Sequence, residues 1–283
     1  MNQPIVWVNG APSSDALSLD RGLLFGDGVF ETFARSNGHW VLESAHFDRL
    51  ARGLRQLHIS IDWSQLQTDW QRFQSDCGDN GVAKVIVTRG TATRGYAPAS
   101  NGSSVVLLQW FEGLPTVPVS VALGVCEIRL AHQPALAGIK HLNRLEQVLA
   151  SHEIMHHNWG DGLLLNHQGH VVETASKNLF FIKDDCLITP AITDCGVRGT
   201  LRDWLISHWA SGELHSTMGL NCAEMERITL DDVMSADEMF VCNSVFGIVP
   251  VSCVGDKVFM ECERSAQIRR WANDAVGLTT REV

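Results

Sequence analysis

Lysine and tyrosine are scarce in this chain of 283 residues, which has five lysines and one tyrosine, Tyr96, and in which Lys plus Arg (22) fall short of Asp plus Glu (32). The resulting formal charge of -10 argues against nucleic acid or an anionic membrane surface as the main partner. An anionic small molecule stays open, because a local arginine cluster can oppose the global charge. No apolar run approaches the ~20 residues needed to span a bilayer. The start, Met1-Asn2-Gln3-Pro4-Ile5-Val6-Trp7, lacks the basic-then-apolar pattern of a secretory leader. The eight cysteines form no C-x-x-C pair and several sit in apolar, strand-like runs. The expectation is a cytoplasmic protein with reduced, buried thiols and no disulfide framework. Internal repeats and low-complexity tracts are missing as well. What is there is an ordinary globular composition, 45% hydrophobic and 19% charged, long enough for two modest domains or one large one.

Hydrophobic patterning places strands at 5–9, 29–34, 39–42, 82–88 and 105–111, with Asn37-Gly38 as a hairpin turn. Phe47, Leu50, Leu54 and Leu57 recur at helical spacing with arginines between them, which gives an amphipathic helix. The stretch EGLPTVP at 112–118 breaks the pattern. It sets a linker at 113–118 between an N-terminal domain, 1–112, and a C-terminal domain, 119–283. A β-rich run at 119–130 then precedes a helix reaching about His156. Short strands follow at 163–165, 171–173 and 179–182, and a helix at 200–209. Strands at 238–242, 248–253 and 257–260 and a polar helix at 265–275 complete the chain. Strands and helices mix without regular βαβ alternation, which gives the α+β class.

Of Lys84, Lys140, Lys177, Lys183 and Lys257, the candidate is Lys140, embedded between apolar residues and a glycine in Leu136-Ala137-Gly138-Ile139-Lys140-His141-Leu142. Semi-apolar surroundings disfavour the charged form, and the neutral amine is the nucleophile that condensation with a carbonyl needs. A stem packed at a strand end with its head in water would have the same neighbours. His152-Glu153-Ile154-Met155-His156 matches H-E-x-x-H, which on a helix sets two imidazoles on one face for zinc. A third ligand is the difficulty: the extended pattern needs glycine where Trp159 stands, and Glu173 would come from a strand. Zinc hydrolysis is therefore the distant alternative, beside a packed or interface role for both histidines in the stripe of Leu145 and Leu149. Gly196 and Gly199 precede the helix at Thr200, where backbone amides at a helix N-terminus can take an anion. Asn243-Ser244 sets an amide and a hydroxyl at a strand end. Glu173 ends a Val-Val strand, as a surface glutamate at a turn or as the partner of a protonated heterocycle. Arg89, Arg94 and Tyr96 share one loop, and arginine forks suit carboxylates.

Together, from Phe25-Gly26-Asp27-Gly28-Val29-Phe30-Glu31 to Cys242-Asn243-Ser244, the chain resembles the fold-type IV pyridoxal-phosphate enzymes. That family holds branched-chain aminotransferases, D-amino acid aminotransferases and aminodeoxychorismate lyase. The stretch GIKHLNRLE at 138–146, with Arg94-Gly95-Tyr96, is most similar to the lyase branch. The resemblance implies a two-domain α+β architecture, a smaller N-terminal α/β domain and a larger C-terminal β-rich domain with the site at their interface. It also implies a homodimer that converts an anionic substrate, 4-amino-4-deoxychorismate, to 4-aminobenzoate and pyruvate for folate synthesis. By the same resemblance, pyridoxal 5'-phosphate would be carried on Lys140, with Glu173 at its pyridine nitrogen. Arg49 would hold its phosphate, with backbone amides near Thr200 and Leu201 and the Ser244 hydroxyl. Arg94, Tyr96 and Phe30 would face the substrate, and Arg144 is a second candidate cation. Two positions depart from the pattern. Phe30 stands where D-amino acid aminotransferases carry tyrosine, and Leu201 stands where many relatives carry threonine, leaving only its backbone amide. A D- or branched-chain aminotransferase is the alternative on the same fold.

Overall fold

The computed structural model describes residues 5–12, 20–91, 95–98, 103–212, 216, 218–260 and 262–279. Its contacts divide the chain into Met1–Leu114 with Ile139–Asn143, and Pro115–Gly138 with Arg144–Val283. The break thus falls after Leu114, and a five-residue strip carrying Lys140 returns to the first unit.

The first unit is built on an antiparallel sheet of order β2-β1-β6-β5-β3-β4. Its strands are Ile5–Val8 (β1), Ala11–Pro12 (β2), Gly28–Ser36 (β3), His39–Trp40 (β4), Gly81–Thr88 (β5) and Val105–Glu112 (β6). Three helices, Arg21–Phe25 (α1), Glu43–Gln56 (α2) and Trp63–Ser75 (α3), accompany it. Asn37 (φ 49°) and Gly38 (φ 80°) both adopt the left-handed conformation of a two-residue turn, so Arg35 pairs with Trp40. Along β3 the side chains alternate. Val29, Glu31 and Phe33 are buried, with Val87, Val85 and Ala83 directly opposite on β5, whereas Phe30 and Thr32 share the other face with Lys84.

The helix α2 buries His46, Arg49, Leu50, Gly53 and Leu54, one stripe at helical spacing. Apolar periodicity identifies Leu50 and Leu54 in that stripe. It misses the two polar members, and Phe47 and Leu57 are only partly buried against the same core. Gly53 sets how closely α2 approaches, since a Cβ there would lie 2.9 Å from Val29 Cγ1. Around Phe33 the rings of Trp70 and Phe47 lie at centroid distances of 4.9 and 5.2 Å. Full burial of the Phe33 side chain contributes roughly 1.5–3 kcal/mol.

The second unit carries a mixed sheet of order β12-β11-β10-β13-β14-β7-β8-β9, with β15 on β14. The strands are Val121–Leu130 (β7), Asp161–Asn166 (β8), Val171–Thr174 (β9), Asn178–Lys183 (β10), Cys186–Pro190 (β11), Asn221–Met225 (β12), Glu238–Asn243 (β13), Gly247–Val254 (β14) and Lys257–Val258 (β15). Helices among its described residues include Leu145–His157 (α4), Thr200–Ala210 (α5), Leu230–Met234 (α6) and Glu263–Val276 (α7). The central strands β10 and β13 are apolar almost throughout because both of their faces are covered. Phe180 stacks on Phe240 at 5.1 Å on one face, and Leu179, Phe181, Met239 and Val241 enter the main core on the other. Among the described residues, no helix is long and apolar enough to cross a membrane. All eight cysteines are free thiols; Cys126, Cys195 and Cys242 are buried and the other five are partly so.

Candidate active site

Lys140 is placed by its backbone. The strip Ile139–Asn143 runs beside the start of β3: Val29 bridges His141, Phe30 N–H donates to the Lys140 carbonyl at 2.9 Å, and Leu142 N–H donates to the Gly28 carbonyl at 3.0 Å. Asn143 Nδ2 adds a hydrogen bond to the Gly26 carbonyl at 3.1 Å. The half-buried Lys140 side chain then lies over Phe30, with Nζ 4.6 Å from the ring centroid.

A second lysine shares that ring. The register that sets Thr32 opposite Lys84 makes Lys84 the diagonal neighbour of Phe30, and its Nζ lies 4.9 Å from the same centroid. Burial lowers the Lys84 pKa below its ordinary value. The other lysines are occupied elsewhere. Lys177 pairs with Asp161 at 2.9 Å, Lys183 donates to Ser235 at 2.8 Å, and Lys257 lies over Phe259. Phe30, Lys140 and Lys84 thus form one cluster, of which Lys84 is the member that sequence reading missed.

Arg49 sits on the buried face of α2, against the core face of β3. Its Nε donates to Glu31 Oε1 at 2.7 Å and its Nη2 to Glu31 Oε2 at 2.6 Å, a forked pair almost wholly shielded from water. His46 Nδ1 lies 2.6 Å from Glu31 Oε2. Burial alone would raise the Glu31 carboxyl, but the Arg49 charge and the hydrogen bonds from Arg49 and His46 bring it down to about 2. Burial also pushes His46 down, outweighing the pull of Glu31, and the ring nitrogen that meets the carboxylate, Nδ1, is the one that donates.

The loop after β5, which carries Arg89 and Tyr96, is only partly described. Arg94 lies outside the described residues. Tyr96 is 84% exposed, and its ring packs on Phe25 at 5.3 Å. Its carbonyl and that of Gly95 accept from Arg21, at 2.6 and 3.1 Å. Arg21 and Arg89 both grip Asp27, at 2.7 and 2.9 Å; burial would raise that carboxyl, and the two arginines together hold it lower than usual.

In the second unit, Glu173 is buried near the end of β9, and its Oε2 accepts the Val197 N–H at 2.9 Å. The turn carrying Val197 is tied down by Gly138, whose N–H donates to Gly196 and whose carbonyl accepts from Arg198. Gly196 has φ 84°, and a Cβ there would come 2.8 Å from Val172 and 3.4 Å from the Glu173 carboxylate. Gly199 follows at the N-cap of α5, where a side chain would overlap Asn178 Oδ1. Thr200 and Leu201 open the helix and are both buried, so the Leu201 side chain belongs to the core. Ser244, also buried, follows β13, against which α5 packs. Asn243 next to it is a turn former: its Oδ1 accepts from Val245 and Phe246 and its Nδ2 donates to the Ser176 carbonyl. Arg144 stands at the N-terminal end of α4.

The zinc alternative fails on its glutamate. The strand β7 bulges between Val125 and Arg129, and Glu153 accepts the Glu127 and Ile128 N–H groups there, at 2.6 and 3.1 Å. A carboxylate holding two amides of a bulge is structural, and His152 and His156 are exposed on α4. Among the described residues, no group of three or more His, Cys, Asp or Glu could hold a metal ion.

Comparison with known proteins gives a consistent result. The sequence model of amino-transferase class IV matches residues 28–254. The aminodeoxychorismate lyase of Vibrio harveyi is 37% identical over 254 residues, covering 87% of this chain and 90% of that protein. Among solved structures, the 4-amino-4-deoxychorismate lyase of Pseudomonas aeruginosa superposes with a TM-score of 0.87 at 37% identity, covering 95% of this chain and 98% of that one. The branched-chain amino acid aminotransferase of Escherichia coli superposes with a TM-score of 0.84 at 20% identity, covering 99% and 96%, which is a likeness of fold.

Proposed function

The chain belongs to the amino-transferase class IV family, and from that premise we propose that it is an aminodeoxychorismate lyase dependent on pyridoxal 5'-phosphate, releasing 4-aminobenzoate and pyruvate. The observation that carries the reading is the pair of amines on Phe30, a ring with no hydroxyl. A substrate with two carboxylates needs two cations. Lys84 is well placed to be one of them, and Arg94 is the other. An aminotransferase for apolar amino acids gains little from a second cation beside an aromatic ring. A carboxylate arriving at Lys84 would favour the charged form that burial disfavours.

The residues also fit the cofactor. The buried Glu173 carboxylate lies beside a glycine turn where a Cβ would intrude, and that turn runs into the N-terminus of α5. Glu173 would keep the proton on the pyridine nitrogen, the amides at Thr200 and Leu201 and the Ser244 hydroxyl would take phosphate oxygens, and Arg49 would supply the cation. Pyridoxal phosphate, when bound, supplies a carbonyl that condenses with an amine and a ring that accepts electron density. As a neutral amine, Lys140 would take the proton from the substrate carbon that bears nitrogen. The bond from the substrate ring to the enolpyruvyl oxygen then breaks, the ring becomes aromatic, and Lys140 returns the proton to enolpyruvate to give pyruvate. Atoms and electrons balance without water, oxidant or a second keto acid. Borohydride reduction of the purified protein should leave the cofactor mass on the Lys140 peptide; an unlabelled Lys140 overturns the assignment.

Lys84→Met is expected to raise KM for aminodeoxychorismate about ten- to a hundredfold, the worth of one charge-assisted hydrogen bond, with a much smaller change in kcat. An unchanged KM in steady-state assays removes Lys84 from the substrate site.

The chain acts as a homodimer in this reading. Leu145, Leu149 and Met155, on α4, are 77%, 52% and 75% exposed, an apolar stripe that a second copy would cover. Sedimentation should give twice the chain mass, and Leu145→Glu with Leu149→Glu should shift it to one; a wild-type monomer contradicts the dimer. A cytoplasmic location suits the eight thiols, with burial pushing Cys77, Cys195, Cys222 and Cys242 up to about 12.

A further inference from the structure

We infer that Glu31 is a positioning residue for phosphate recognition: it fixes the orientation of the Arg49 guanidinium, and His46 in turn fixes Glu31. The inference rests on the cofactor reading above and extends it to two residues that would not themselves touch the cofactor.

The starting point is a misfit. Glu31 occupies a core position of β3, between Val29 and Phe33 and opposite Val85, and it is 1% exposed. Its neighbours in that face are apolar, and a well-packed apolar residue there would be as stabilising as a buried ion pair, or more so. Stability alone therefore gives no reason for a carboxylate at this point. Its geometry gives one. A guanidinium is a rigid plane with five N–H donors. Glu31 takes one donor on Nε and one on Nη2, at 2.7 and 2.6 Å. Two parallel bonds to one carboxylate fix the position and the tilt of that plane, and so the direction of every remaining N–H.

The carboxylate is fixed in its turn. His46, fully buried one turn before Arg49 on α2, donates from Nδ1 to Glu31 Oε2 at 2.6 Å. Glu31 Oε2 thus receives both Arg49 and His46 while Oε1 receives Arg49 alone among these bonds. Gly53 completes the device by letting α2 lie against Val29, close enough for a short fork. An arginine with its rotatable side-chain bonds and no such clamp would lose conformational freedom each time it met a phosphate; here that ordering is already in place.

The test compares pyridoxal phosphate with pyridoxal, which lacks the phosphate, by quenching of the nine tryptophans in apoprotein titrations. Glu31→Gln keeps the shape and removes the charge. It should weaken pyridoxal phosphate roughly ten- to a hundredfold and leave pyridoxal unchanged. In an Arg49→Lys background, where no fork exists, Glu31→Gln should add nothing further. His46→Leu, which leaves the fork intact, should weaken pyridoxal phosphate by a few fold with the same selectivity, and it serves as the probe if Glu31→Gln does not fold. Equal losses for both ligands, or losses at 31 and 49 that multiply, would mark Glu31 as merely structural and overturn the inference. Wild-type apoprotein that takes up pyridoxal phosphate while Glu31→Gln matches it overturns this inference alone. Wild-type apoprotein that takes up none overturns the cofactor reading and this inference with it.

Discussion

Replacing Lys140 with alanine is expected to lower turnover of aminodeoxychorismate by at least about 10⁴-fold while leaving the apoprotein folded. Two contributions are lost together. A positioned general acid–base group is worth about 10²–10⁴ in rate, and the covalent anchor for the cofactor goes with it. The fold should survive because the ties of this strip to β3 are made by backbone groups: the Phe30 N–H to the carbonyl of residue 140, the Val29 bridge to His141, and Leu142 to Gly28. Alanine keeps all three. A half-buried stem is removed, which should cost about 1 kcal/mol or less. Thermal melting of the apoprotein should therefore change little while activity and borohydride labelling both vanish. Activity within about tenfold of wild type would mean that another group moves the proton.

Glu173→Gln is expected to reduce kcat by about 10²–10³ with little change in KM. The substitution is nearly isosteric, and the remaining carbonyl oxygen can still accept the Val197 N–H that Glu173 Oε2 accepts at 2.9 Å. The turn at 196–198, held also by Gly138, should keep its shape. What disappears is the negative charge that would hold a proton on the pyridine nitrogen, and with it much of the ring's capacity to accept electrons. Removing a buried carboxylate also removes a desolvation cost, so the melting temperature of the apoprotein should stay level or rise. A variant that retains full kcat would separate Glu173 from the cofactor; one that loses both kcat and fold would make it a structural strut.

Much of the fold was legible in the residues because local chemistry set it. Asn37-Gly38 specifies its turn wherever it stands, Gly196 and Gly199 mark the approach to α5, and Lys140 stands out by its neighbours. What could not be read is set by pairing between distant segments. The register that places Lys84 diagonally across from Phe30 follows from how β3 and β5 align over their whole lengths. Glu31 and Arg49 are 18 residues apart, and each is polar, so apolar periodicity passed over both although they lie in the core. The H-E-x-x-H motif misleads in the opposite sense: its spacing is right for a helix face, but its glutamate is held by a bulge in β7 that only the folded sheet displays. The strand β12 was missed because an edge strand need not be apolar, and Asn221 and Glu224 are at home there. The return of Ile139–Asn143 to the first unit is likewise a tertiary fact.

The central claim is that these residues break a carbon–oxygen bond and transfer no amine. Supplying purified protein with aminodeoxychorismate and no keto acid should give 4-aminobenzoate and pyruvate in equal amounts, both followed in one assay. Product that forms only when an amino donor and a keto acid are supplied together, as from D-alanine with 2-oxoglutarate, would contradict the lyase and make the chain an aminotransferase.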